Sequence, residues 1–157
     1  MTSVTLGAPS APARIVSSVR LRLDAVPFSL LQLLMRVAVG AVFLKAGLLK
    51  YQSWELTLLL FRDEYHVPVI PPALAAQMAT FNELVCSSLL ILGLATRLAT
   101  LPFLGMLVVI QTFVYPEAWT DHLLWTSILL TLLVRGGGTW SLDHLVRRRA
   151  TARPPHP

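Results

Sequence analysis

The stretch that decides the fold is LMRVAVGAVFLKAGLLKY, residues 34–51, in which Arg36, Lys45 and Lys50 interrupt an otherwise apolar run. A run of this length and composition predicts the body of a membrane-spanning helix. A charge inside such a helix is costly unless it is paired or its side chain reaches the interface. The rest of the sequence must therefore provide partners or exits for these three cations.

The overall composition is that of a membrane protein. The chain has 157 residues, 55% of them hydrophobic and 13% charged, with a mean hydropathy of +0.65, whereas soluble domains carry roughly 25% charged residues. A spanning helix needs about 20 mostly apolar residues, so this length supplies roughly four or five spans with short connections. We expect one integral membrane domain and no separate soluble one.

Charge and cysteine content limit the kinds of partner and cofactor. The net charge is +5 and the pI is about 10.1, but the arginines lie at the ends of apolar runs, which favours anionic lipid over nucleic acid as their partner. Cys86 is the only cysteine in the sequence, so neither an internal disulfide nor a dithiol centre is expected. No metal, haem or nucleotide site is predicted.

Apolar runs along the chain predict an all-α integral membrane protein, built as a four-helix bundle. The segment between the first two runs, residues 50–72, is rich in aromatic and charged residues and predicts an interfacial segment. We therefore expect an N-terminal tail at 1–25, a four-span domain at 26–146 and a basic tail at 147–157. The predicted spans are 28–49, 73–95, 98–114 and 119–134.

The basic residues predict how the bundle is oriented. In a four-span arrangement most arginines fall on one side, which is the cytoplasmic side by the positive-inside rule. Both termini are then cytoplasmic, and a short basic amphipathic segment at 14–26 lies on that membrane surface. The arginines on this side are Arg14, Arg20, Arg22, Arg97, Arg135, Arg147, Arg148, Arg149 and Arg153.

Arg36 and Glu83 are predicted to form an ion pair between the first two spans. With a rise of about 1.5 Å per residue, they lie ~12 Å and ~18 Å from the basic ends of their spans, a difference of about one turn. Gly40 and Gly47 share the face of Arg36 and would let the two helices approach. Two interpretations are open: an ion pair that fixes helix register, or a polar cavity that binds a quinone head group or relays protons.

Lys45, Asp121, His122 and Cys86 are the remaining chemically distinctive residues of the spans. Lys45 faces away from Arg36, and it can either snorkel to the outer surface or meet Asp121 and His122. Asp121 suits a helix N-terminus, and His122 either packs at a helix interface or carries a proton. Cys86 lies one turn from Glu83, so it could touch the same cavity, more often as a packing residue than a redox group.

Motifs in three places resemble the DoxX family. RVAVGAVFLKAGLLK, residues 36–50, is similar to its first span, in which an arginine precedes glycine, phenylalanine, glycine and lysine. NELVCSSLLILGLATRLAT, residues 82–100, resembles its second span, and GGGTWSLD, residues 136–143, resembles its C-terminal element. The resemblance covers roughly residues 30–146. It departs from the family at Gly137, where many relatives have proline, and at Lys45, a position that is often uncharged or histidine.

This resemblance implies a four-helix protein of the bacterial inner (cytoplasmic) membrane. Such proteins are similar to the small membrane subunit of thiosulfate:quinone oxidoreductases, and related members are linked to thiol and oxidative stress defence. The segment FRDEYHVPVIPP, residues 61–72, is similar to members whose genes neighbour those for small exported, metal-responsive peptides. The positions with an implied structural role are Gly40, Phe43, Gly47, Gly93, Arg97, Gly136, Gly138, Ser141 and Asp143.

The favoured function is a quinone-associated subunit or accessory of a membrane oxidoreductase. Arg36, Lys45 and Lys50 are candidates to hold the quinone, and Glu83 and His122 are candidates for catalytic proton transfer. One alternative is a non-enzymatic membrane anchor or assembly factor for partner proteins, including exported peptides; another is a small proton-coupled transporter. The expected partners are membrane lipids, a soluble oxidoreductase or other operon-encoded protein, or a second copy of the chain, and no nucleic acid.

Overall fold

The computed structural model describes residues 11–151, with side chains from residue 17 onward. The outer parts of both predicted tails, 1–10 and 152–157, lie outside the described residues. Short irregular segments join the helices, among them a π-helical turn at Ile110–Val114 and a 3-10 turn at Pro116–Ala118. The helices are α1 (Ala11–Asp24), α2 (Phe28–Gln52), α3 (Trp54–Asp63), α4 (Pro72–Leu92), α5 (Thr96–Val109), α6 (Trp119–Arg135) and α7 (Leu142–Thr151).

The all-helical prediction is confirmed for residues 11–151, which contain no strand. Three segments are long and apolar enough to cross a membrane: Phe28–Gln52, Pro72–Leu92 and Thr96–Val114. The region of the predicted fourth span forms α6, a helix of 17 residues that extends for only ~26 Å at 1.5 Å per residue, and its crossing of the membrane stays a prediction. The basic segment near the N-terminus forms α1, and the predicted interfacial segment contains α3.

The four longest helical segments share one hydrophobic core. α2 contributes Val39 and Phe43, and the rings of Phe43 and Phe103 lie 4.6 Å apart between their centroids. Such aromatic contacts add to the stabilisation from apolar burial, because the ring faces and edges carry opposite partial charge. The other buried members are Cys86 and Leu90 of α4, Ala99 and Leu107 of α5, and Leu129 and Leu132 of α6.

α2 packs closely on α4 at two glycines. A Cβ atom at Gly40 would lie 2.5 Å from Cγ1 of Ile91, and one at Gly47 would lie 2.9 Å from Cβ of Glu83. Only hydrogen atoms fit at these points, so the glycines permit the close approach that membrane helices use. The contacts also fix the register of the antiparallel pair: Gly40 lies opposite Ile91, and Gly47 lies opposite Glu83.

The chain after α6 is fastened to the start of α2. We call this loop, residues 136–143, the clasp. The buried Gln32 donates a hydrogen bond to the carbonyl of Gly136 at 2.7 Å, and Nη2 of Arg36 donates to the carbonyl of Trp140 at 2.6 Å. Burial of an arginine is costly unless its N–H groups find partners; the clasp supplies one for Nη2, whereas Nε and Nη1 of Arg36 have no hydrogen-bond partner among the described residues.

The clasp also caps α5. The carboxylate of Asp143 accepts hydrogen bonds from the backbone N–H groups of Ala95 and Thr96 at 2.7 and 3.0 Å, and its own N–H donates to the carbonyl of Gly93 at 2.9 Å. A carboxylate at a helix N-terminus satisfies N–H groups that have no partner within the helix. The third motif of the sequence thus has a structural role at the basic end of the molecule, the end that carries Arg97.

Gly93 makes the turn between α4 and α5. It has a φ of +69° and ends α4, where the N–H of Leu94 donates to the carbonyl of Leu89, the pattern of a Schellman-type C-cap. A Cβ atom at Gly93 would overlap the guanidinium of Arg36. The position therefore requires glycine for both its backbone angles and its contact with Arg36.

Gly93→Ala is predicted to destabilise the protein, because it combines an unfavourable φ with a clash against a fully buried arginine. We expect a loss of about 2 kcal/mol or more in the free energy of unfolding, measured by denaturation in detergent or lipid bicelles. Gly105→Ala is the matched control, since a Cβ atom there meets nothing within 4 Å. Equal loss of stability in the two variants would contradict this account of the turn.

Candidate functional site

The buried carboxylate of Glu83 is paired with Lys50. Nζ of Lys50 lies 2.6 Å from Oε1 and 2.8 Å from Oε2 of Glu83, and the two side chains are 21% and 5% exposed. The predicted ion pair between Arg36 and Glu83 is therefore wrong, because Glu83 bonds to Lys50 while Arg36 bonds to the clasp. The prediction of an ion pair between the first two spans is correct in kind but wrong in partner.

Register and side-chain direction explain this correction. The expected depths assumed that the basic ends of α2 and α4 lie at one level, but α2 begins well beyond the end of α4, so Arg36 is level with Gly93 and not with Glu83. Side chains on a helix also lean toward its N-terminus. Arg36 therefore leans toward the basic end and Lys50 leans inward toward Glu83.

A cavity of about 740 Å³ lies beside this ion pair. Its wall comes from α2, α3, α4, α5, the π-helical turn and α6, and most of its lining side chains are apolar or aromatic. Pockets that bind small molecules have volumes of roughly 300 to 1,000 Å³ and combine an apolar wall with a few placed polar groups. The chemically functional residues that line it are Lys50, Asn82, Glu83, Cys86, Asp121 and His122.

His122 is held in one orientation by the π-helical turn. Nδ1 of His122 lies 2.7 Å from Oε1 of Gln111, whose Nε2 donates to the carbonyl of Pro116 at 2.8 Å. Because the amide nitrogen of Gln111 is used by Pro116, its oxygen faces His122, and Nδ1 must be the donor. In the neutral ring this leaves Nε2 as a proton acceptor. π-Helical turns are frequent at functional sites, and this one positions the partner of the only histidine that lines the cavity in the described chain.

Asn82 lines the cavity and contains a buried polar atom without a partner among the described residues. Its Nδ2 donates weakly to Sδ of Met106 at 3.7 Å, whereas its buried Oδ1 has no hydrogen-bond partner among the described residues. A buried polar oxygen without a partner is unfavourable, so a ligand group or water that donates to it would be stabilised. Cys86 also lines the cavity, as its spacing from Glu83 predicted.

Aromatic side chains roof the cavity at the end opposite the clasp. We call α3 and the following residues 64–71 the cap. Within and beside it, the rings of Tyr65 and Tyr115 lie 5.7 Å apart between centroids, and the Tyr115 hydroxyl donates to Glu64 at 2.8 Å. The neighbouring Tyr65 hydroxyl, burial and Glu64 together raise the pKa of Tyr115 above its usual value. Tyr115 therefore stays protonated at neutral pH and keeps this hydrogen bond.

The structure separates the predicted site residues into two groups. Lys50, Glu83 and His122 line the cavity, whereas Arg36 and Lys45 do not. Lys45 is exposed on the outside of α2, and it forms no ion pair with Asp121 within the described chain. This placement fits a snorkelling side chain. Its predicted contact with a quinone stays a prediction.

Sequence analysis did not identify Asn82 and Gln111 as site residues. Both are polar residues inside apolar runs, and this position in the sequence could have marked them as candidates. Gln32 is a third such residue, and it binds the clasp. Periodicity did not single out these residues, since amide side chains carry no charge that demands a partner.

The family-implied structural residues have identifiable contacts. Gly40 and Gly47 lie in the α2–α4 packing, Phe43 lies in the hydrophobic core, and Gly93 makes the turn between α4 and α5. Nη2 of Arg97 donates to the carbonyl of Val134 at 3.0 Å, which ties α5 to α6. The remaining members, Gly136, Gly138, Ser141 and Asp143, belong to the clasp; Gly136 and Gly138 have positive φ, and the Ser141 hydroxyl donates to the Gly138 carbonyl.

We predict that Lys50→Met and Glu83→Gln are strongly coupled. Lys50→Met leaves a buried carboxylate without its cation, which costs about 3 to 5 kcal/mol when a buried pair is broken. The double variant removes both charges and should be about 2 kcal/mol or more stabler than the sum of the two single effects predicts. Unfolding of all four proteins measures this coupling.

The exposed pair of Arg62 and Asp63 supplies the control cycle. Nε of Arg62 donates to Asp63 at 2.8 Å, but both side chains are more than half exposed. Coupling between Arg62→Met and Asp63→Asn should therefore be much smaller, because water screens the pair. Similar coupling in both cycles would contradict a buried, organising role for Lys50 and Glu83.

Comparisons with known proteins give consistent results. The family model described as DoxX matches residues 31–116, just over half of the chain, and includes the first two motifs but not residues 136–143. A protein of Mycobacterium tuberculosis described as an uncharacterized membrane protein is 32% identical over 136 residues, which cover 74% of this chain and 82% of that relative. No solved structure matches the chain. The residues matched by the family model contain most of α2, the Lys50–Glu83 pair and Gln111, and the chain belongs to the DoxX family.

Proposed function

We propose that the cavity binds the head group of a lipid-soluble quinone, and that the protein serves as a quinone-associated subunit or accessory of a membrane oxidoreductase. The observation that carries the proposal is the cavity itself, in which an apolar wall surrounds the Lys50–Glu83 pair and His122. A quinone head group has the matching chemistry, a flat apolar ring with oxygen atoms at opposite edges.

The lining residues fit such a head group at both of its oxygens. Nζ of Lys50 has more donor hydrogens than the two short contacts with Glu83 require, so it can also donate to a quinone oxygen. His122, another lining residue, has an acceptor nitrogen that suits the hydroxyl of the reduced form. Phe43 and Trp125, whose ring centroids lie 5.3 Å apart, also line the cavity, and aromatic side chains pack favourably on flat rings.

Proton transfer is the chemistry that this chain can contribute. A bound quinone would supply the redox chemistry, since it gains electrons and protons together when it is reduced. His122 accepts or returns a proton at Nε2 because Gln111 occupies Nδ1, and Glu83 is the neighbouring carboxylate. Lys50 stabilises negative charge that develops on an adjacent oxygen. Electrons reach or leave the site through a partner oxidoreductase in this account.

The membrane arrangement belongs to the same proposal. We infer that α6 is a fourth span, which would cross nearly upright or where the bilayer is locally thin, and that the clasp end faces the cytoplasm of a bacterial inner membrane. The positive-inside rule supports this orientation, because the arginines of α1, α5, α6 and α7 are at that end. Labelling of intact cells with an impermeant thiol reagent tests this orientation in a Cys86→Ala background. The reagent should label Ser53→Cys but not Thr139→Cys.

The test of the function is the amount of quinone that copurifies with the protein. Protein extracted with its native lipid should retain quinone in proportion to protein, and Glu83→Gln and His122→Gln should each lower the retained amount roughly tenfold. Lipid extraction followed by chromatography with redox-sensitive absorbance measures the quinone. Partner proteins in the same preparation are identified by mass spectrometry.

Two substitutions outside the cavity serve as matched controls. Glu55→Gln and His66→Gln make the same chemical changes at exposed positions of the cap that do not line the cavity, and they should leave quinone retention unchanged. Absence of quinone from the unsubstituted protein, or equal retention in the cavity variants and these controls, would sink the proposal.

A further inference from the structure

The wall of the cavity between α4 and α5 is incomplete. Met78 and Phe81 of α4 line the cavity, yet their side chains are 54% and 66% exposed on the outside of the molecule. Across from them, Pro102 and Gly105 of α5 also line the cavity and are exposed. A residue that both lines a cavity and is exposed marks an edge of an opening, so these four residues border a gap between the helices.

Gly105 is the thinnest point of this border. A Cβ atom there would meet nothing within 4 Å, which means that no neighbouring side chain fills the space. The hydrogen bond from Asn82 to Met106 aligns α4 with α5, and it places Gly105 level with Glu83. The gap is therefore at the same depth as the Lys50–Glu83 pair.

The local structure of α5 explains why the gap is at this place. Three residues join α4 to α5 at the clasp end, where the helices must be close. Farther along, Pro102 lies inside α5 and removes one backbone hydrogen bond. The chain then widens into the π-helical turn at Ile110–Val114. These irregularities lie in the part of the chain, Pro102 to Val114, that contributes to the cavity wall.

The gap faces the hydrocarbon of the membrane. It lies within the two segments Pro72–Leu92 and Thr96–Val114, both apolar enough to span, and it is flanked on α5 by the exposed Leu101 and Val108. Water is scarce at such a position, whereas acyl and isoprenoid chains are abundant. A polar group would lose its hydration on entering this opening. An apolar chain would not, so the opening favours an apolar chain.

We propose that the opening at Gly105 admits the cavity's ligand from within the bilayer and holds its hydrocarbon tail. The polar head group would lie against Lys50 and Glu83, and the tail would pass between α4 and α5 beside Gly105 and Phe81. This inference rests on the proposed function for the identity of the head group. It adds the route by which the ligand enters the cavity and the place where its tail leaves it.

The test compares two quinones that share a ring, one with a decyl tail and one with a methyl group in its place. Binding is measured with the full chain in nanodiscs of phosphatidylcholine and phosphatidylglycerol, through the quenching of tryptophan fluorescence, since Trp125 lines the cavity. Gly105→Phe and the smaller Gly105→Leu fill the opening. Both should weaken binding of the decyl quinone roughly tenfold and leave binding of the methyl quinone within about twofold.

Leu98→Phe is the matched control, because Leu98 is an exposed α5 residue about two turns from Gly105 that does not line the cavity. It should leave binding of both quinones unchanged, and retained methyl-quinone binding also shows that the Gly105 variants are folded. Because every variant is measured in the same membrane, the partitioning of each quinone cancels in the comparison.

Three results would overturn the opening at Gly105. One is equal binding of the decyl quinone by the Gly105 variants and the unsubstituted protein, and another is an equal loss for both quinones. The third is a loss of decyl-quinone binding in Val42→Phe but not in the Gly105 variants. Val42 lines the cavity from the exposed side of α2, so this result would mark a different exit. Failure of the unsubstituted protein to bind either quinone would instead remove the proposed function, and the opening with it.

Discussion

The constraint on which the structure depends is that the carboxylate of Glu83 lies in an apolar interior and needs a cation. An unpaired charge at such a depth costs several kcal/mol, and Lys50 meets the need with two short contacts. These contacts require α2 and α4 to be close, which Gly40 and Gly47 permit. The glycines on one face of α2 therefore allow the close approach by which Lys50, at the end of that helix, reaches Glu83. The cavity opens beside this ion pair.

The two ends of the molecule have different mechanical roles. At the basic end, Arg36 and Asp143 bind the clasp to α2 and to the start of α5, so the helices are held in fixed register there. Toward the opposite end, the cap and the π-helical turn contribute to the wall of the cavity. An end that sets the register of the helices, joined to an end that contains a cavity, suits the preorganised ligand site that we propose.

The sequence was sufficient to predict the helices and the presence of a buried ion pair, but not which cation pairs with Glu83. Apolar runs predicted α2, α4, α5 and α6 to within a few residues because membrane helices need continuous apolar length. Arg36 was assigned to Glu83 because depth was counted from span ends, whereas the true register is set by side-chain contacts at Gly40 and Gly47 that no periodicity encodes. The roles of Asn82 and Gln111 depend on which neighbours they meet, and the widened turn that presents Gln111 to His122 has no sequence signature of its own.

Photoaffinity labelling is the most direct test that the cavity is a quinone site. A quinone analogue with a photoreactive group on its ring would be added to the protein in nanodiscs, and the labelled residues would be identified by peptide mass spectrometry. We predict labels within residues 78–86 of α4 and residues 105–125, suppressed by excess unlabelled quinone. Labels confined to the surroundings of Arg36 and the clasp, or spread over the lipid-facing surface without competition, would contradict the account.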